Sequence, residues 1–239
     1  MKAIGVIPAR LGSTRLPRKL LREIAGQPLL GYTYRAVCGS PLLDQVVIAT
    51  DSQEIMDVCR KHHWNALMTS TQHRNGTERV NEIANSIAAE VYVNVQGDEP
   101  LIRPQHIAAL LEIMKNPQVQ VGTLKAPASF SDVRDPNAVK VVTDCSGRAL
   151  YFSRASIPYH RDAGSPHHFT HLGLYAYRKP ALQQYGSLPE SRLERSEGLE
   201  QLRFLENGIP IYVGEVSLDT LRVDTEEDFQ HLQQMLIGR

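Results

Sequence analysis

The chain is expected to be an α/β protein with a doubly wound, mostly parallel (mixed) sheet and a β-rich insertion near residues 119–178. Three observations predict this. Strand-like and helix-like patterns alternate over the first 115 or so residues, which is the pattern of a parallel sheet with crossover helices. The runs Lys2–Ala9 and Gln45–Thr50 are apolar almost throughout, as expected of strands covered on both faces. From about 119 to 178, four strand-like runs follow one another with no long helix between them. A chain of 239 residues suits one large domain with an embedded lobe, so a single domain spanning 1–239 is expected.

The elements follow in order. Lys2–Ala9 is a central strand. Pro28 opens a helix to about Cys38, because proline fits a first helical turn. Gln45–Thr50 is a second buried strand, and Ser52 caps a helix to about His62 with Glu54 near its positive end. Ala66–Met68 is a short third strand. Thr77–Ala89 is helical, with Val80, Ile83, Ala84 and Ile87 on one face. Glu90–Gln96 is a strand, and Pro104 starts a helix to about Lys115. Strands are expected at Val119–Ala126, Ala138–Thr143, Ala149–Phe152 and Thr170–Tyr177. Helices resume at Pro180–Tyr185 and Leu193–Glu206, with Asn207-Gly208 as a left-handed stop. Ile209–Val216 is a strand, Leu221–Val223 leads into Asp224, and Thr225 caps a final helix to about Ile237.

Composition excludes several classes. Lys and Arg total 26 and Asp and Glu total 26, so no overall field gathers nucleic acid or an acidic membrane. Any anion site must be a local cluster. Cys38, Cys59 and Cys145 are odd in number and far apart, unlike a disulfide framework or a metal knuckle; a reducing cytoplasm fits. No stretch approaches the ~20 apolar residues of a membrane helix, and Pro8 and Arg10 cut the opening apolar run too short for a secretory leader.

Chemistry concentrates in a few stretches. After the first strand, Val6–Leu21 reads VIPARLGSTRLPRKLL, placing Arg10, Arg15 and Lys19 around Gly12 and Ser13. Guanidinium forks and a compact ammonium suit a phosphate; a basic surface loop is the plainer alternative. Asp98 follows the strand 90–96 in Gln96-Gly97-Asp98-Glu99-Pro100. Ligands in such sheets lie beyond the carboxyl ends of strands, and Mg2+ takes one or two carboxylates plus phosphate oxygens. A turn aspartate bonding its own backbone competes with that reading. Asp224 is a second candidate, also expected just past a strand, although Thr225-x-x-Asp228 there imitates a capping box. In His73–Arg79 (HRNGTER), Thr77 is placed as a helix cap while Arg74 and Arg79 are candidates to meet a nucleotide; a solvated loop is the alternative. His160, His167, His168 and His171 lack acidic or Cys partners at a metal spacing, so a single His at the start of the 170–177 strand meeting a polar substrate is favoured. The charged positions Glu197, Glu200, Gln201 and Arg203 surround core leucines and read most simply as a solvated helix face.

Taken together, IPARLGSTRLPRKLL, HRNGTER, NVQGDEPLI, RASIPY, HLGLYAYRK and LRVDTEEDF resemble the 3-deoxy-D-manno-octulosonate (Kdo) cytidylyltransferases, the CMP-Kdo synthetases of lipopolysaccharide biosynthesis. The motifs stand in that family's order from residue 5 to 229. The resemblance implies a Rossmann-like nucleotidyltransferase sheet and transfer of CMP from CTP to the anomeric hydroxyl of Kdo, with pyrophosphate released and Mg2+ as cofactor. It implies that Arg15, Lys19 and Asp98 are catalytic. Pro8, Ala9, Arg10, Gly12, Ser13, Arg15, Lys19, Arg74, Thr77 and Gln96 would bind the nucleotide. Asp98 and Asp224 would hold the metal, and Gln96, Arg154, His171, Gly173, Glu200 and Gln201 would form the sugar-acid pocket. It further implies a cytoplasmic homodimer with no nucleic-acid partner and no membrane insertion, the 119–178 region carrying substrate and dimer contacts.

Two departures stand out. The opening motif of that family usually continues G-K-P-L, whereas this chain has Arg18-Lys19-Leu20-Leu21; Arg18 has no assigned role. Asn75 sits where Ser is usual. Two anionic substrates must meet, so cations and Mg2+ have to neutralise their repulsion and the charge growing on pyrophosphate, while in-line positioning does much of the rest. An Asp-bound Mg2+ activating the sugar hydroxyl is the working expectation. The rivals are a cytidylyltransferase for 8-amino-Kdo or sialic acid, a catalytically inactive nucleotide-binding subunit, and a glycosyltransferase. The last would normally show Asp-x-Asp where this chain has Gly97-Asp98-Glu99.

Overall fold

Apolar runs and turn residues build two compact units, Met1–Ala108 with Thr220–Arg239, and Ala109–Asp219. The structure, a computed structural model, describes residues 1–13, 16–161, 167–217 and 222–237.

In the first unit β1 (Ala3–Ala9) is buried at every position. One 3-10 turn, Lys19–Leu21, precedes a small hairpin of β2 (Glu23–Ile24) and β3 (Gln27–Pro28). Helix α1 (Leu29–Cys38) follows, then β4 (Gln45–Thr50), α2 (Gln53–Lys61), β5 (Ala66–Met68), α3 (Gly76–Ser86), β6 (Val91–Asn94) and α4 (Pro104–Ile113). The division between units falls within α4. Apart from the antiparallel β2–β3 hairpin, the first unit's strands lie in the order β6-β1-β4-β5, and each of these pairings is parallel. The chain winds outward from β1 through β4 to β5, then returns to lay β6 on the other side of β1. The crevice beyond the carboxyl ends of β1 and β6 is therefore a topological switch point, where open α/β sheets bind ligands.

The second unit begins before residue 119 and continues past 178. It contains β7 (Val121–Pro127), α5 (Phe130–Arg134), β8 (Lys140–Thr143), β9 (Ala149–Ser153), β10 (Phe169–Tyr177), α6 (Lys179–Ser187), α7 (Arg192–Glu197), α8 (Leu202–Glu206) and β11 (Ile211–Glu215). Strand β7 pairs antiparallel with β10 and parallel with β11, while β8 pairs with β9 and touches β10. The register of β10 on β7 shifts between Leu172 and Tyr175. Gly173 lies in that irregularity, and bulges of this kind re-aim neighbouring side chains.

Helix α9 (Glu226–Ile237) belongs to the first unit. Its Phe229 and Leu232, with Val223, pack on Leu16, Ile24 and Leu29, each fully buried aliphatic contributing about 1.5–3 kcal/mol. Chain segments from both ends thus share one small core.

Three expectations are corrected here. Asn75, not Thr77, caps α3: its Oδ1 accepts from Glu78 N at 2.9 Å, while Thr77 lies buried inside the helix. The helix expected over Leu193–Glu206 is two helices, because Gly198 adopts φ 63° and ends α7 in the left-handed conformation, which glycine accepts without steric cost. Residues 222–224 form no strand; Val223 N instead donates to Asp98 O at 3.0 Å, which places Asp224 beside the turn after β6.

Candidate functional site

In the first unit the candidate residues gather where β1 and β6 end. Pro8 and Ala9 are the last, buried residues of β1. Gly76 sits in a tight spot: a Cβ there would stand 3.3 Å from Gln96 Nε2 and 3.4 Å from Pro8 Cγ. Pro8, the start of α3 and Gln96 are therefore in close approach. Arg10 and Gly12 are exposed, and Ser13 Oγ accepts from Leu16 N at 3.4 Å to shape the loop. Arg15 lies outside the described residues.

The turn after β6 is packed tightly. A Cβ on Gly97 would stand 3.2–3.3 Å from Leu20 and Leu30 side-chain carbons, and its carbonyl accepts from Thr33 Oγ1 at 2.9 Å. That packing drives Asp98 toward the 3-10 turn. Lys19, only 8% exposed, donates from Nζ to Asp98 Oδ2 at 2.5 Å and to Asp224 Oδ1 at 2.9 Å. Arg222 Nε stands 3.5 Å from Asp98 Oδ2 and 3.2 Å from Asp224 Oδ2. Two carboxylates thus converge on one ammonium and face one guanidinium. Sequence patterning pointed to Asp98, Lys19 and Asp224 but passed over Arg222. A usable signal existed, since extended residues two apart share a face and Arg222 stands two before Asp224. The capping alternative for this segment also holds, on different atoms: Thr225 Oγ1 accepts from Asp228 N, and Asp228 Oδ2 accepts from Thr225 N and Asp224 N. The cap occupies Asp228 and leaves the Asp224 carboxylate to Lys19.

Around the rim, Arg18 is exposed at φ 54° and pairs with Glu54, which gives the unassigned cation a surface partner. Arg74 is 62% exposed and its guanidinium grips Glu78 through two bonds of 2.7 and 3.0 Å. Burial works to raise the Glu78 pKa, but the hydrogen bonds from the Arg74 main chain and guanidinium outweigh it and hold the carboxyl below its ordinary value. Arg79 turns inward, 3% exposed, donating to Asp51 Oδ2 at 2.7 Å and to Thr69 Oγ1.

The second unit holds the other candidates. The Arg154 guanidinium is half-buried and donates to two main-chain carbonyls, Glu197 O at 2.7 Å and Pro136 O at 2.9 Å. The Glu197 carboxylate, expected on a solvated face, instead accepts from Ser153 Oγ at 2.6 Å and Arg154 N at 2.8 Å. His171 meets Thr123 Oγ1 at 2.9 Å and packs against Phe152 and Tyr175 with ring centroids 4.9 and 5.3 Å apart. Gly173 follows in the bulge of β10. Burial above all, then the neighbouring Tyr177 and Glu200, pushes the Tyr175 hydroxyl well above its ordinary pKa, keeping it neutral. Gln201 is buried at the start of α8 beside the half-buried Glu200. Arg203 is 2% exposed and makes a two-bond pair with Glu194, so this cation too lies inside the unit. Of the other histidines, His168 is buried with Nε2 3.0 Å from Pro158 O and its ring 5.2 Å from that of His160. Among the described residues no three His, Cys, Asp or Glu side chains group as a metal cage, and no helix is long and apolar enough to cross a membrane.

The cytidylyltransferase family model matches residues 4–215. The 3-deoxy-manno-octulosonate cytidylyltransferase of Koribacter versatilis is 61% identical over 240 residues, covering 100% of this chain and 92% of that relative. That of Acidobacterium capsulatum is 55% identical, covering 100% and 98%. The chain belongs to the 3-deoxy-manno-octulosonate cytidylyltransferase family. Membership makes it a nucleotidyltransferase, and the fold agrees. A CMP:2-keto-3-deoxy-manno-octonic acid synthetase complexed with CTP superposes with TM-score 0.95 at 39% identity, covering 100% of this chain and 99% of that one. An inositol-1-phosphate CTP transferase from T. maritima shares the fold alone, with TM-score 0.71 at 12% identity.

In chemical terms, a cytidylyltransferase must hold a polyphosphate beside cations and hold a metal on hard oxygens. The first unit brings two carboxylates, an ammonium and a guanidinium into one cluster. The main chain that carries the carboxylates is fixed by the Val223–Asp98 bond and by the packing of Gly97.

Proposed function

We propose that this chain activates Kdo, transferring CMP from CTP to the anomeric hydroxyl and releasing pyrophosphate for lipopolysaccharide biosynthesis. The observation that carries the reading is the convergence of Asp98 and Asp224 on a single cation at the β1/β6 switch point. That donor set fits Mg2+, which prefers one or two carboxylates completed by phosphate oxygens; Lys19 Nζ marks where a cation is already stabilised. When bound there, Mg2+ would supply charge neutralisation for the reacting phosphate. Asp98 and Asp224 hold it. Lys19 and Arg15 grip the phosphates that leave, stabilising charge that grows as the bond breaks. Pro8, Ala9, Arg10, Gly12, Ser13, Arg74, Thr77 and Gln96 seat the nucleotide. Arg154, His171, Gly173, Glu200 and Gln201 seat the sugar acid. The enzyme works as a cytoplasmic homodimer. The names of the relatives and the CTP-bound neighbour support this substrate pair.

Supplying CTP and Mg2+ with Kdo, 8-amino-Kdo or sialic acid separately, and measuring pyrophosphate, tests the reading. Release is expected with Kdo; release only with another acid would replace Kdo as substrate. Light scattering is expected to give twice the chain mass.

A further inference from the structure

Lys19 and Arg222 occupy the carboxylates that the proposed function assigns to a metal. Lys19 Nζ bonds one oxygen of each, at 2.5 and 2.9 Å. Arg222 Nε faces both from a side chain that is 57% exposed. Two negative charges are thus met by two positive ones, and Glu99, buried alongside, adds further attraction on Arg222. A free divalent cation approaching this cluster gains two carboxylates but meets an ammonium already seated between them and a guanidinium beside them. Like charges this close in a poorly hydrated site repel strongly. A polyphosphate changes the balance, because it offers oxygens to the metal and anionic partners to both displaced cations.

We infer that Lys19 and Arg222 keep the Asp98–Asp224 pair closed to a free divalent cation and yield it only when a polyphosphate arrives to take them over. Metal and nucleotide then bind as one coupled event, and Arg222 is a positioning residue for the exchange. Arg222 suits this role because its Nε stands 3.5 and 3.2 Å from the two carboxylates while the side chain as a whole is more than half exposed. This inference rests on the assignment of Asp98 and Asp224 as metal ligands.

The test is Mn2+ binding to the full chain, followed by the loss of the free-ion resonance, with and without CTP and with the CTP–Mn2+ complex in solution subtracted. The wild-type protein is expected to bind Mn2+ on the order of 100-fold tighter with CTP than without, within the range of strong coupling between sites. Arg222→Gln is expected to bind Mn2+ alone roughly tenfold tighter than wild type, with the coupling reduced by a similar factor, since linkage is reciprocal. Arg222→Lys keeps the charge and is expected to behave as wild type. Mn2+ alone is expected to raise the melting temperature of Arg222→Gln and to leave the wild-type value unmoved. Equal Mn2+ affinity with and without CTP in wild type, or no gain in Arg222→Gln, overturns the inference. Asp98→Asn separates the two levels: Mn2+ binding retained there overturns the metal-ligand assignment itself.

Discussion

Each unit contains a buried ion cluster, and the two are built to opposite ends. In the second unit Arg203 meets Glu194 through two parallel bonds of 2.7 and 2.6 Å. Tyr185 covers the guanidinium at 4.5 Å, and Ser191 completes a capping box with Glu194. One cation meets one anion in a matched fork, and the group is sealed. In the first unit two carboxylates share one ammonium through single bonds, with an exposed arginine alongside. That arrangement is unmatched in geometry, with Glu99 buried alongside, and the exchange proposed above requires cations held in this looser way. Charge burial alone does not mark a functional site; replaceable partners do.

The sharpest way to break this contrast is Asp98→Asn. Turnover is expected to fall on the order of 10²–10³-fold or more while the melting temperature stays near wild type; near-normal turnover would remove Asp98 from the chemistry. Arg203→Met is expected to do the reverse, lowering unfolding free energy by about 3 kcal/mol by stranding a buried carboxylate, with kcat little changed. A double replacement, Arg203→Met with Glu194→Leu, is expected to recover much of that loss in a denaturant titration. A double that lost as much as the single would show that the pair is more than a sealed structural fork.

The smallest effect belongs to the rim. Glu78 and Glu82 are both held below the ordinary carboxylate value; burial opposes this, but hydrogen bonds from Arg74 to Glu78, and from Ser70 N and His73 to Glu82, outweigh it. A depressed folded pKa stabilises above the unfolded value of 4.5 and is lost as pH falls through the folded values. Glu82→Gln is therefore expected to flatten the acid limb of the stability profile below pH 4.5, at a neutral-pH cost of about 1 kcal/mol for a pair still partly open to solvent. An unchanged acid limb would show that the His73–Glu82 contact carries no linkage.

Legibility followed how local each signal was. Strands Gln45–Thr50 and Ala66–Met68 stand where uninterrupted apolar patterning put them. Asp98 was visible because a glycine and a carboxylate closely follow a buried apolar run, although the strand itself ends at Asn94. Asp224 was found for a partly mistaken reason: it reaches the site through a main-chain bond from Val223 to Asp98, a contact 125 residues distant in sequence, not by following a strand. The leucine spacing of 193–206 ran across Gly198 because helical periodicity does not register a single left-handed residue. Glu197 looked like a solvated position because its partners, Ser153 and Arg154, come from a distant strand. Arg222 went unseen because one partner, Asp98, becomes a neighbour only after folding, and the local signal from Asp224 two residues on was not used.

The shared core of Leu16, Ile24, Leu29, Val223, Phe229 and Leu232 has a consequence for the order of events during synthesis. The ribosome makes Lys19 and Asp98 early, then the whole of the second unit, and only afterwards the segment that carries Arg222 and Asp224. Until α9 has emerged and docked on Leu16, Ile24 and Leu29, Lys19 and Asp98 lack the partners that Asp224 and Arg222 supply. The ion cluster therefore stays incomplete until this late segment folds, and its second carboxylate arrives after the whole second unit has been made.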